Sequence, residues 1–286
     1  MSQEPERIAK FLARAGVASR REIERMIEAG RITLNGEVLK TPAVKVTDAD
    51  NIIVDNKPAP TKQPPRFWRY YKPLGLVSTE RDEKGRKTIF DDLPEDMPRT
   101  MSVGRLDINS EGLLLLTNDG GIKRKLELPA TGWLRRYRVR VNGRPTDETF
   151  EPLRQGVVID REVFAPMEVV LDRQQGANAW LTVGLREGKY REVRRAMEHV
   201  GMKVNRLIRI SYGPFQLGDM EPGEVRSIPT RVFKEQLGPE GADLFDAVDE
   251  NDKPKRTLKP RPNKSRGTRN SPRSDAGNKK PNKKRR

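Results

Sequence analysis

The chain contains no cysteine and a single histidine among its 286 residues. The first absence excludes disulfides, a thiolate nucleophile and cysteine-bound zinc, and the second leaves no histidine pair for an H-E-x-x-H metal site. A Ser-His-Asp triad would have to use His199, which sits in the helical-looking stretch REVRRAMEHVG and reads as a half-exposed structural residue. Acid-base chemistry therefore falls to Asp, Glu, Tyr or Lys. No run of about 18 apolar residues occurs, and MSQEPERIAK lacks the apolar core of a signal peptide. A soluble, cytoplasmic protein with no membrane partner is expected.

What the chain has in excess is positive charge, unevenly spread. Residues 251–286 hold 15 Lys and Arg against 2 Asp and Glu, so +13 of the total +16 lies there. This segment is rich in Pro, Asn, Ser and Gly, and its one leucine cannot offset the entropy of folding. It is expected to be a disordered tail that attracts polyanions through counterion release.

The N-terminus reads as a small module. Ile8, Phe11, Leu12 and Ala15 recur on one helical face, and Gly16 stops that helix. Ser19 followed by Glu22 signals a capping box, with Ile23, Met26 and Ile27 forming the apolar face of a second helix. Asn35-Gly36 between alternating residues then marks a hairpin. Arg7, Lys10 and Arg14 share the polar face of the first helix, while Arg20, Arg21 and Arg25 crowd the second. Cations at a helix start oppose its dipole, which an RNA phosphate would relieve; Glu22, Glu24 and Glu28 are the alternative local partners.

Four prolines between Pro58 and Trp68 favour an extended linker. Beyond it, FWRYYKPLGLVST, GLLLLT, RRYRVRVNG, VFAPMEVVLD and AWLTVGLREG read as strands, and helices are expected around Thr146 to Gln155, Tyr190 to Val200 and Thr230 to Leu237. The expected class is α+β, with an antiparallel-rich sheet domain. The expected boundaries are 1–57 for the first module, 58–65 for the linker, 66–240 for the second domain and 241–286 for the tail.

Within VGRLDINSEGLLLLTNDGG, Asp107 stands between an arginine and a leucine run. A loop aspartate is ordinarily a turn residue. Asp107, Asn109, Glu111 and Gly112 mimic the start of a calcium loop, but Asn118 occupies position 12, where a bidentate Glu is required, and Leu115 cannot serve at position 9. No metal is expected. Glycoside hydrolysis needs two flanking carboxylates, and Glu111 gives only a weak second candidate.

Two resemblances sharpen this reading. Glu6 to about Asp55, with the wording SRREIERMIEAGRITLNG, resembles the S4-type RNA-binding domain. VGRLDINSEGLLLLTNDG resembles the signature of the RsuA/RluB/RluE/RluF family of rRNA pseudouridine synthases. It is accompanied by YYKPLGLVST, GRKTIFDDLP, RRYRVRVNG and EGKYREVRRAMEHVGMKVNRLIRISYGPF, so the likeness covers about Glu6 to Leu237. The YYKPLG, REVRR and RLIRISYG wording, with the long basic tail, points to the branch acting on large-subunit rRNA.

The resemblance implies isomerisation of a uridine to pseudouridine with no cofactor. Asp107 matches the catalytic aspartate, and Tyr137 matches a tyrosine that packs on the base and is the candidate for taking the C5 proton. Arg194 matches the arginine that pairs with the aspartate, with Arg195 as near alternative. Arg105 should lie at the cleft mouth, bracing the gap left by a flipped uridine, unless it forms a structural salt bridge with a residue such as Asp119. The expected partner is rRNA, bound by a monomer; 16S rRNA as substrate, or a noncatalytic ribosome-assembly factor, are the competing functions.

Overall fold

A computed structural model describes residues 4–128 and 132–237. The tail expected over 241–286 lies outside the described residues. The N-terminal module runs β1 (Glu6–Arg7), α1 (Ile8–Arg14), α2 (Arg20–Glu28), β2 (Ile32–Leu34), β3 (Glu37–Val38), β4 (Lys45–Val46), β5 (Ile52–Val54) and β6 (Lys57–Pro58). Ser19 caps α2 by accepting from the Glu22 amide at 3.3 Å. The reciprocal half of the capping box is replaced by an ion pair from Glu22 to Arg25 at 2.9 Å. Asn35 and Gly36 both take positive φ, as a tight hairpin turn between β2 and β3 requires. Ile8, Leu12, Ile23, Ile27 and Ile32 close a separate small core. The module reaches further than the sequence suggests: β6 pairs with β5 and includes Pro58, the first residue assigned to the linker.

The second domain contains β7 (Phe67–Lys72), β8 (Met101–Val103), β9 (Glu111–Thr117), α3 (Gly120–Glu127), β10 (Arg135–Asn142), α4 (Glu151–Gln155), β11 (Val157–Ile159) and β12 (Glu162–Phe164). It continues with β13 (Glu168–Gln175), β14 (Asn178–Leu185), α5 (Glu192–His199), β15 (Lys203–Tyr212), β16 (Phe215–Gln216), β17 (Val225–Ile228) and α6 (Thr230–Leu237). The main sheet has the order β13-β14-β10-β15-β9-β7-β17, with β16 on β15 and β8 on β9. Its one parallel pairing joins β15 to β9, and all others are antiparallel.

The leucine run is the strand at the join. Leu114 and Leu116 enter the core with Val139, Leu181, Phe164 and Met197. Leu113 and Leu115 enter the opposite core with Ile122, Tyr212 and Phe233. A strand covered on both faces is uniformly apolar, which is why the run does not alternate. Gly112 lies where β9 meets β15: at φ +105°, a Cβ there would stand 2.4 Å from the Arg209 carbonyl oxygen.

Five features depart from the expectation. β15, absent from the expected strands, lies at the centre of the sheet. VFAPMEVVLD breaks at Ala165 and Pro166 into β12 and β13. The helix expected over Thr146 to Gln155 is a 3-10 turn (Asp147–Phe150) followed by the short α4. Helix α3 is additional, its start fixed by Asp119, which accepts from the amides of Gly121 and Ile122 at 2.8 and 3.0 Å. His199 ends α5 and is exposed rather than half-exposed. Among the described residues no helix is long and apolar enough to cross a membrane.

Candidate active site

Asp107 sits in the loop from β8 to β9, and that loop is held by its carbonyls. Ser78 Oγ donates to Leu106 O at 2.9 Å, and the Gly75 amide donates to Ile108 O at 2.9 Å. Arg194 Nη2 donates to Asn109 O at 2.6 Å. Lys72 Nζ donates to Asp107 O at 3.1 Å, Ser110 O at 2.8 Å and Pro73 O at 3.0 Å. Every carbonyl from Leu106 to Ser110 is thus engaged, so the backbone is tethered from below while the Asp107 side chain stays 34% exposed.

Lys72 is completely buried. Burial pushes its pKa down to about 8, against the pull of the Asp107 and Glu111 carboxylates. Glu111 is also buried, and burial works to raise its pKa; the fork of Arg206, at 2.6 and 3.1 Å, and the Tyr71 hydroxyl, at 3.1 Å, outweigh that and hold it low. Glu111 is therefore committed to Arg206 and Tyr71 as a structural anchor. This removes both the calcium-loop and the paired-carboxylate readings.

Asp107 opens into a cleft of about 680 Å³ whose walls include Arg105, Tyr137, Leu185, Tyr190, Arg191, Val193, Leu207 and Arg209. Tyr137 is 9% exposed and sits on β10 between Val183 of β14 and Arg209 of β15. Its hydroxyl makes no hydrogen bond among the described residues. Arg105 is exposed, and it too has neither a hydrogen bond nor an ion pair among those residues. The salt bridge considered between Arg105 and Asp119 does not form; Asp119 caps α3 and lies 3.6 Å from Arg14.

The arginine facing Asp107 is not the expected one. Arg191 Nη1 approaches Asp107 Oδ2 at 3.5 Å, whereas Arg194 donates to the backbone of Asn109 and, at 3.2 Å, of Val204. Arg191 occupies the N-cap of α5 with left-handed backbone (φ +49°), which turns its side chain back to the loop, while Arg194, one helical turn on, lies beneath it. Burial and the neighbouring Arg191 lower the Arg194 pKa, and Asp107 partly offsets them. Arg195 is directed elsewhere, to Glu162 at 2.5 Å and Asp160 at 3.3 Å. Lys72 and Arg191 thus join the site without having been singled out as site residues. Lys72's signal was a second cation, after Arg69, in the otherwise aromatic stretch FWRYYK.

In the N-terminal module, Arg7, Arg20 and Arg21 are exposed and unpaired among the described residues. Lys10 pairs with Glu6 at 2.9 Å, Arg14 with Glu6 at 3.3 Å, and Arg25 with Glu22 at 2.9 Å.

Comparison with known proteins identifies both domains. Residues 66–199 match the RNA pseudouridylate synthase family and residues 6–52 match the S4 domain. A crystal structure of a pseudouridylate synthase superposes with a TM-score of 0.58 at 24% identity, covering 81% of this chain and 99% of that one, and so shares the fold. The fold and the two matched domains define an RNA-modifying isomerase with an appended RNA-binding module. An RNA pseudouridine synthase of Rickettsia bellii is 42% identical over 229 residues, covering 80% of this chain and 99% of its own. Ribosomal large subunit pseudouridine synthase B of Escherichia coli (strain K12) is 41% identical over 220 residues, covering 74% of this chain and 75% of its own. The chain belongs to the RsuA/RluB family of RNA pseudouridine synthases.

Proposed function

We propose that this enzyme converts a uridine of large-subunit rRNA to pseudouridine, with Asp107 as the catalytic carboxylate. The observation that carries the reading is the convergence of the Asp107 side chain, Tyr137 and Arg191 on one cleft. The 41% identity to the Escherichia coli large-subunit enzyme favours the substrate.

In this reaction the N1–C1′ bond breaks, the uracil turns, C5 bonds to C1′, the C5 proton leaves and N1 takes up a proton. The detached base stays in the cleft, so no second carboxylate is required to activate water. Asp107 acts on the sugar, by attack at C1′ or by promoting elimination. Arg191 stands beside it, its Nη1 3.5 Å from Asp107 Oδ2. Tyr137 stacks on the uracil, and its hydroxyl, without a hydrogen bond among the described residues, takes the C5 proton. Arg194 acts as a positioning residue through Asn109. Arg105 braces the RNA from which the uridine is rotated, and Arg7, Arg20 and Arg21 supply phosphate contacts, with Lys10, Arg14 and Arg25 contributing where RNA displaces their carboxylates.

The test is pseudouridine mapping of rRNA in cells lacking this protein. Loss of one large-subunit pseudouridine is expected. Loss confined to 16S rRNA would overturn the substrate assignment, and an unchanged map would favour an RNA-binding assembly role.

A further inference from the structure

We propose that Tyr190 forms a nucleobase-stacking subsite at the rim of the cleft, receiving a base that flanks the target uridine. This rests on the reading of the cleft as the uridine site. Tyr190 is 73% exposed, the highest value among the large apolar side chains of the described residues. It lines the same cleft as Asp107, and it has no hydrogen bond or ring contact among those residues. An isolated exposed tyrosine is unremarkable on a protein surface. Its mounting is what distinguishes this one.

The turn carrying it is fixed on both sides. The Lys189 amide donates to Glu192 Oε2 at 2.8 Å, and Lys189 Nζ reaches Val163 O and Glu187. On the other side, Arg191 keeps its left-handed backbone, and its carbonyl accepts from the Arg195 amide at 2.9 Å. A non-glycine residue in that conformation is strained, and such strain persists only where its surroundings enforce it. One turn thus directs Arg191 inward to Asp107 and holds the Tyr190 ring outward at the mouth. A ring presented on a rigid backbone loses little freedom on binding.

The chemistry of the rim selects the ligand. Arg105, unpaired among the described residues, lines the same cleft, so the opening combines an aromatic face with a cation, the pairing that serves stacked bases and their phosphates. Rotating the target uridine out of its helix strips one stacking partner from each neighbouring base. Stacking on Tyr190 restores that partner to one of them. The subsite therefore reads the unstacked state of the RNA beside the target.

The experiment uses the full chain and an rRNA fragment containing the mapped uridine, with 2-aminopurine at each flanking position in turn. Wild type and Tyr190→Phe are expected to quench the fluorescence at one flank. Tyr190→Leu, apolar but without a stacking face, is expected to lose the quenching and bind about 5- to 150-fold more weakly. That loss falls on KM more than on the single-turnover rate, and phenylalanine rescues it. If Tyr190→Leu binds and quenches as wild type does, the subsite is refuted while uridine conversion stands. If the wild type leaves the uridine unconverted, the reading of the cleft itself falls and the proposal with it.

Discussion

Replacing Lys72 by methionine separates the stability of the domain from the placement of the Asp107 loop. Burial lowers the amine from its ordinary 10.5 to about 8, equivalent to about 3 kcal/mol held against the charged form. Methionine removes that cost and fills similar space. It also leaves the Pro73 and Ser110 carbonyls without the donor they now use, at about 1–3 kcal/mol for each buried one. The opposing contributions leave net stability within about 3 kcal/mol of wild type. Turnover should respond far more strongly, because freeing the Asp107 and Ser110 carbonyls lets the loop drift, and a displacement of about 1 Å costs about 100-fold in rate. The assay pairs urea unfolding with single-turnover conversion at saturating RNA. A pH series adds a signed check: with a folded pKa near 8 and an unfolded value near 10.5, the unfolded chain binds more protons in that window, so Lys72 makes stability rise with pH across it. Methionine should abolish this contribution. A variant that turns over within about threefold of wild type, where the argument requires about 100-fold, would refute the anchoring role.

Tyr137→Phe should retain RNA binding and lose turnover, whereas Tyr137→Ala should weaken both; equal turnover by the Phe variant would leave the tyrosine as a platform only. Gly112→Ala places a Cβ 2.4 Å from the Arg209 carbonyl and should cost about 3 kcal/mol or more by overpacking and backbone strain, measured by denaturant unfolding. Deleting residues 251–286 removes +13 of charge and should flatten the salt dependence of RNA binding, each lost phosphate contact reducing the log-log slope by about 0.7–0.9. An unchanged slope in a salt titration would remove the tail from RNA binding.

The sequence made short-range features legible. The faces of α1 and α2, the Asn35-Gly36 turn and the strand at GLLLLT follow from local periodicity and composition. β15 was hidden because Arg206 and Arg209 interrupt its apolar residues. The first is drawn to Glu111, and the second is buried with its Nε on the Leu113 carbonyl. Helix α3 was hidden by two glycines at its start, which only the cap from Asp119 reveals as helical. At the site, the family signature led to Asp107, Tyr137 and Arg105, and all three line one cleft. Helical spacing could not choose among Arg191, Arg194 and Arg195, because a left-handed residue before α5 decides which of them turns back to the loop. Lys72 reads as a strand terminus in one dimension, and only the fold places the 106–110 carbonyls around it.

The central claim is that the Asp107 carboxylate performs the isomerisation, and Asp107→Asn tests it most directly. Asparagine keeps the size and most of the hydrogen bonding while removing the charge that faces Arg191. The measurement is tritium release from C5-labelled uridine in rRNA under single-turnover conditions, with RNA binding followed in parallel. The account predicts that release is abolished while binding stays near wild type. Release within about tenfold of the wild-type rate, a loss below about 1.4 kcal/mol in transition-state stabilisation, would contradict it.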